Sequence, residues 1–191
     1  MAKEKGISNT FVANGYMTKE AIDMISPYLD GANVDLKSFS DDFYKRLCGA
    51  RLEGVLSSIR YMKEKNIWIE ITTLLISGEN SSKDELTNIA SFIKEIGIET
   101  SWHISRFYPN YKFLDTPPIP ISIIQKAVEI RKKAGLKYVY GGNIPGGPSE
   151  STYCYSCKKI LIKRFGFSII ENNIKKDECP NCGIKIDGVL E

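Results

Sequence analysis

Several things are scarce in these 191 residues. No uncharged apolar run approaches the ~20 residues of a membrane-spanning helix, and the opening Met-Ala-Lys-Glu-Lys-Gly lacks the apolar core of a signal peptide. A cytoplasmic protein without a membrane partner is therefore expected. Neither sign of charge dominates: 26 Lys+Arg stand against 23 Asp+Glu, a net +3, which gives no electrostatic case for nucleic acid. Histidine occurs once, at His103, and before residue 154 cysteine also occurs once, at Cys48. With no second cysteine or histidine near it in sequence, Cys48 reads as a small packing residue at a helix end.

What is present begins with Ala32-Asn33-Val34-Asp35-Leu36-Lys37. Successive strand side chains point to opposite faces, so Ala32, Val34 and Leu36 share one face and Asn33, Asp35 and Lys37 the other. Ile67 to Leu75 divides in the same way, with Glu70 and Thr72 opposite Ile67, Ile69, Ile71, Thr73 and Leu75. His103 shares a face with Ser105, and Asn14 ends a strand beside Gly15. Together these faces predict an enclosed polar surface of Asn14, Asn33, Asp35, Lys37, Glu70, Thr72, His103 and Ser105, suited to a zwitterionic or ribose-bearing ligand.

Strands and helices alternate along the chain. Strands are predicted at Thr10 to Asn14, Asn33 to Lys37, Ile67 to Leu75, Ser101 to Phe107 and Lys137 to Tyr140. Helices are predicted from Thr18 to about Leu29, Ser40 to Gly49, Leu52 to Lys65, Ser82 to Ile96 and Ile121 to Ala134. This alternation predicts an α/β fold with a parallel sheet, a partial βα barrel over residues 1–143, whose site lies at the C-terminal strand ends. About five strands can be counted, too few for a closed eight-strand barrel. The Gly/Pro-rich residues 144–150 read as a linker.

Residues 151–191 carry two close pairs, Cys154-Tyr-Ser-Cys157 and Cys179-Pro-Asn-Cys182, separated by 21 residues with strand-like runs. Two such turns brought together at hairpin ends make a tetrahedral four-sulfur site, the pattern of a zinc ribbon. The metal is expected to be zinc and structural, with rubredoxin-type iron or a redox cluster as the alternatives. A ribbon that docks a protein or nucleic acid on a βα scaffold is a second functional reading.

One further pattern runs through the chain. It consists of Asn14-Gly15-Tyr16, Val34-Asp35-Leu36-Lys37, Leu47-Cys48-Gly49-Ala50-Arg51, Thr72-Thr73-Leu74-Leu75-Ile76-Ser77-Gly78, Trp102 to Pro109, Tyr138-Val139-Tyr140-Gly141-Gly142-Asn143, and the paired cysteines. In that order, from about Asn9 onward, these segments resemble the AmmeMemoRadiSam-system radical SAM enzymes, relatives of pyruvate formate-lyase activating enzyme. The resemblance implies a partial barrel that binds a [4Fe-4S] cluster and S-adenosylmethionine. Reductive cleavage would give a 5′-deoxyadenosyl radical that takes hydrogen from a glycyl-radical enzyme, another protein or a small molecule. It places Asp35 and Lys37 on S-adenosylmethionine with Asn14 close by; Thr72 and His103 join them as candidate contacts through the shared polar face. Where the family carries a histidine in its Phe-x-Pro segment, this chain has Tyr108. The family's Cys-x-x-x-Cys-x-x-Cys loop and Gly-Gly-Glu segment do not occur. The chain is thus expected to be the C-terminal portion of such an enzyme, inactive alone, with a missing N-terminal portion or a protein substrate as partner.

Overall fold

A computed structural model describes residues 2–144 and 146–189. Met1, Leu190 and Glu191, at the limits of the expected domains, and Pro145 of the expected linker lie outside the described residues. Five strands lie side by side in sequence order, all parallel: β1 (Thr10–Ala13), β2 (Gly31–Asp35), β3 (Trp68–Leu75), β4 (Ser101–Arg106) and β5 (Val139–Gly142). Helices connect them: α1 (Lys19–Ile25), the short α2 (Asp41–Phe43) continuing as a wide turn over Tyr44–Cys48, α3 (Leu52–Glu64), α4 (Lys83–Ile96) and α5 (Ile121–Ala134). None of the described helices is long and apolar enough to cross a membrane.

The helices start where short polar side chains satisfy free N–H groups. Thr18 Oγ1 accepts from Ala21 N at 3.2 Å, Ser40 Oγ from Phe43 N at 3.3 Å and Ser82 Oγ from Glu85 N at 3.2 Å. Their apolar stripes then cover one face of the sheet. Val55, Ile59 and Met62 of α3 and Ile89 and Ile93 of α4 are buried with Val34, Ile69, Ile71, Leu75 and Ile104. Burying each such side chain is worth about 2 kcal/mol.

Thr73 is the polar member of this covered face, and its hydroxyl is fully used. It donates to Leu36 O at 2.9 Å and accepts from the indole Nε1 of buried Trp102 at 3.0 Å. A threonine is tolerated in the core because it links the residue following β2 to β3 and β4.

β5 departs from the sequence expectation, beginning at Val139 and running through Gly142 instead of ending at Tyr140. The two glycines look like linker residues, but they are needed inside the strand. A Cβ on Gly141 would stand 2.5 Å from Ser149 Oγ, and one on Gly142 would stand 3.0 Å from Ser105 Oγ. The turn at Pro148–Glu150 and strand β4 thus close on bare backbone.

A second sheet is antiparallel: β6 (Thr152–Tyr153), β7 (Ile160–Phe165) and β8 (Ser168–Asn172). It packs beside β5, where Tyr138 is buried with Cys154, Leu161, Cys179 and Ile186. Asp187 ties the joint, accepting from Lys137 Nζ at 2.8 Å and from the Tyr138 hydroxyl at 3.1 Å.

Thr73→Val keeps the shape of the side chain while orphaning the Leu36 carbonyl and the Trp102 N–H. The expected cost is about 1–3 kcal/mol, read as a lower urea midpoint. An unchanged midpoint would remove Thr73 from this role.

Candidate functional site

The face of the sheet opposite the helices is polar and partly open. Register places Asp35, Thr72, His103 and Tyr140 in one row across β2 to β5, with Asn33 and Glu70 in the row below. These residues are half-buried, while Val12 and Leu74 on the same face are 85% and 40% exposed. Side chains of this face find one another. Thr72 Oγ1 donates to Asn33 Oδ1 at 2.7 Å, and His103 Nε2 lies 2.8 Å from Glu70 Oε2. The His103 ring stacks on Tyr140 at 5.1 Å between centroids. His103 holds the Glu70 carboxyl below its ordinary range, against the opposing effect of burial, with Trp68 and Asn33 adding further support.

At the C-terminal ends of β1 and β2 a cleft of about 390 Å³ is lined by Asn14, Tyr16, Lys37, Tyr44, Cys48 and Ile76, among others. Lys37 Nζ donates to Asp35 Oδ2 at 2.7 Å, with the two side chains 39% and 33% exposed. Opposite charges are therefore available together at the cleft. Asn14 is placed by a turn that only glycine can make. Gly15 has φ +72°, and a Cβ there would fall 2.5 Å from Val34 Cγ1. Asn14 Oδ1 accepts from Tyr16 N at 3.0 Å within this turn. Tyr44 lies buried beneath, its hydroxyl accepting from Lys37 N at 3.0 Å, and burial pushes its phenol up to about 12. Burial likewise raises the Cys48 thiol while Lys37 pulls it down, leaving a neutral packing residue at the cleft wall.

The candidates from sequence thus divide into two groups. Asn14 and Lys37 line the cleft with Asp35 bonded to Lys37, whereas Thr72 and His103 bond to Asn33 and Glu70. His103 stands two strands from Asp35, about 10 Å at the usual strand spacing. Tyr108 is engaged elsewhere, accepting from Arg106 Nη1 at 2.7 Å and donating to the Asn143 carbonyl at 3.2 Å. Two further participants, Asn80 in the β3–α4 connection and Glu85 in the first turn of α4, lacked any chemical signal in the sequence; both reach back to the segment carrying Lys37.

The second site is at Cys154, Cys157, Cys179 and Cys182, whose sulfurs all lie within 4.8 Å of one another. Cys154 and Cys182 approach to 3.7 Å and Cys157 and Cys179 to 3.6 Å, close to the about 3.8 Å edge of a tetrahedron with 2.3 Å metal–sulfur bonds. The two pairs are built alike. Cys154 N donates to Lys159 O at 2.8 Å and Cys179 N to Ile184 O at 2.9 Å, while Lys158 N and Gly183 N return to Cys154 O and Cys179 O. Lys158 and Gly183 occupy the same left-handed position, at φ 63° and 70°. The thiols split in acidity. The Lys159 N–H and then Asn181 draw Cys157 down to about 6. For Cys182 the Ile184 N–H favours the thiolate, but desolvation and the neighbouring sulfurs outweigh it and push the thiol up to about 12. Four sulfurs this close ionise together only around a cation. This group could hold one metal ion.

Residues 1–93 match the radical SAM superfamily. An uncharacterized protein of Methanocaldococcus jannaschii is 42% identical over 193 residues, covering 100% of this chain and 57% of that protein. The choline trimethylamine-lyase activating enzyme of Oleidesulfovibrio alaskensis is 25% identical over 167 residues, covering 87% of this chain and 48% of that protein. The chain spans about half the length of these curated relatives. In fold it is similar to a domain of a pyruvate-formate lyase-activating enzyme from Bacteroides vulgatus, with TM-score 0.61 and 20% identity over 74% of this chain and 84% of that one.

The superfamily that residues 1–93 match implies S-adenosylmethionine and an iron-sulfur cluster. The residues of this chain do not fit the cluster: Cys48 stands alone at the cleft, and the other four thiols already surround a single metal-sized centre beside the other sheet. Asp35 and Lys37 do fit the charged groups of an amino acid.

Two outcomes follow from these geometries. In a ¹³C titration the Glu70 carboxyl should have a midpoint below the ordinary glutamate value, held down by His103, and move upward in His103→Gln. Because its folded pKa is depressed, the stability it contributes is present above the unfolded pKa and lost as pH falls through the folded one. A midpoint unaffected by the substitution would break the pairing. Chelation of the bound metal, or Cys179→Ser, should free the amides of β6 to β8 to exchange while β2 to β4 stay protected. Equal protection with and without metal would show that the ion is dispensable.

Proposed function

We propose that this chain forms part of a radical SAM enzyme and supplies one side of its S-adenosylmethionine pocket, with cluster ligands from residues outside this sequence. The observation that carries this reading is the Asp35–Lys37 pair beside the cleft at the strand ends. Lys37 suits the methionyl carboxylate, Asp35 the methionyl ammonium, and Asn14 offers an amide beside them. The chemistry supplied by bound S-adenosylmethionine and a reduced cluster is radical formation for hydrogen abstraction; the work of these residues is to hold the methionyl end. Thr72 and His103 line the polar face toward which a substrate would extend.

The finer assignment is an enzyme of the AmmeMemoRadiSam-system branch acting on a protein, either a glycyl-radical enzyme or another. Homology to activating enzymes supports a protein substrate. We take the four-cysteine site as a structural zinc site, residues 151–191 as its ribbon, and the cytoplasm, which keeps thiols reduced, as the location. A second reading, a ribbon that docks a partner on a βα scaffold, is favoured by the hairpin of β7 and β8. There Phe165, Phe167 and Ile169 are 60%, 109% and 61% exposed.

NMR titration with S-adenosylmethionine tests the first reading. Shifts should centre on Asn14 and residues 35–37, with a Kd no tighter than about 1 mM for a pocket with one side, and the affinity should fall about tenfold in Lys37→Ala, as for loss of one charged hydrogen bond. The purified protein should carry about one zinc and essentially no iron. Shifts confined to the β7–β8 hairpin, or none at the cleft, would overturn the pocket. About four irons with matching sulfide would overturn the structural zinc site.

A further inference from the structure

The ladder between β2 and β3 ends at the pairing of Asp35 with Thr72, so the next residues, including Lys37, leave the sheet. Their backbone is nevertheless fixed, by side chains instead of strand partners. Leu36 O accepts from Thr73 Oγ1 at 2.9 Å, and Lys37 N donates to the Tyr44 hydroxyl at 3.0 Å. Lys37 O accepts from Asn80 Nδ2 at 2.6 Å, and Phe39 N and Ser38 Oγ both donate to the Glu85 carboxylate. Asn80 is the hub of this arrangement. It is completely buried, donates a second bond to Leu74 O at 2.8 Å, and accepts from Ile76 N at 2.7 Å. One amide thus bridges the segment after β2 and the end of β3, with both of its N–H donors and its carbonyl oxygen in use.

We propose that Asn80 is the positioning residue for Lys37, with Glu85 holding the following turn. This inference rests on the reading of Lys37 as a contact of S-adenosylmethionine. A lysine on a flexible stem loses conformational freedom when it grips a ligand. Anchoring its N–H on one side of Cα and its C=O on the other pre-orders the residue, and the Asp35 carboxylate then steers the ammonium along the cleft wall. Asn80 itself, sealed from solvent, touches no ligand.

The alternative is that Asn80 only closes its own turn, where Glu79 N and Asn80 N both return to Ile76 O. A double-mutant cycle on the full chain separates the two. In Asn80→Ala, hydrogen exchange at the amides of Lys37 and Phe39 should accelerate about tenfold, as expected for loss of one buried hydrogen bond, while Val34 and Ile71 stay protected. S-adenosylmethionine binding followed by NMR should weaken about fivefold in the Lys37 background and remain unchanged in the Lys37→Ala background. Unaltered exchange at residues 37–39, or an equal loss in both backgrounds, would overturn the proposal. If the parent chain shows no Lys37-dependent shifts, the pocket reading fails by itself, and the exchange data alone decide the role of Asn80. Should Asn80→Ala not fold, Glu85→Ala carries the same cycle with exchange read at Phe39.

Discussion

A parallel sheet exposes two faces that need different partners, and the rest of this structure depends on how β3 divides them. Ile69, Ile71, Thr73 and Leu75 turn toward the helices, and Glu70 and Thr72 turn away. Shifting this strand by one residue would bury a carboxylate among α3 and α4 and expose three large aliphatic side chains. That penalty locks the register with β2 and β4, and the register in turn sets Asp35, Thr72 and His103 in a row. The polar face is therefore a product of core packing on the opposite side.

Much of this was legible from residue order. Alternation in β2 and β3, the helix caps at Thr18, Ser40 and Ser82, and the paired cysteines each announce themselves within a few residues. What stayed hidden depends on residues far apart in the chain. Nothing near Glu70 says that His103, 33 positions later, will stand against it. Asn80 looks like an ordinary turn residue until β2 is seen to end beside it. β5 runs past its expected end because Gly141 and Gly142 are strand residues chosen for what must pass close to them, a requirement invisible in propensity.

The two sheets share more than proximity. Tyr138 belongs to the core of the four-cysteine module, while Tyr140, two residues on, stacks with His103 and meets Thr152 Oγ1 at 3.1 Å. Arg164 joins the same junction, donating to Thr152 Oγ1 at 2.6 Å with its guanidinium 5.8 Å from the centre of the Tyr140 ring. β5 is the outermost strand of the parallel sheet on this side, and the turn at Pro148–Glu150 packs against it.

The matching construction of the two cysteine turns bears on the order of assembly. Each turn closes its own short ring of backbone hydrogen bonds, so each can present two sulfurs before the other has formed. An ion caught by either turn needs only to meet the second across the 21 intervening residues, a loop whose closure costs little extra entropy because that cost grows only logarithmically with length. β7 and β8 lie within that loop, so the hairpin is drawn together as the second turn arrives. Capture by one turn followed by zippering of the hairpin would bring the module's own strands together, leaving Tyr138 from the larger unit to complete its core.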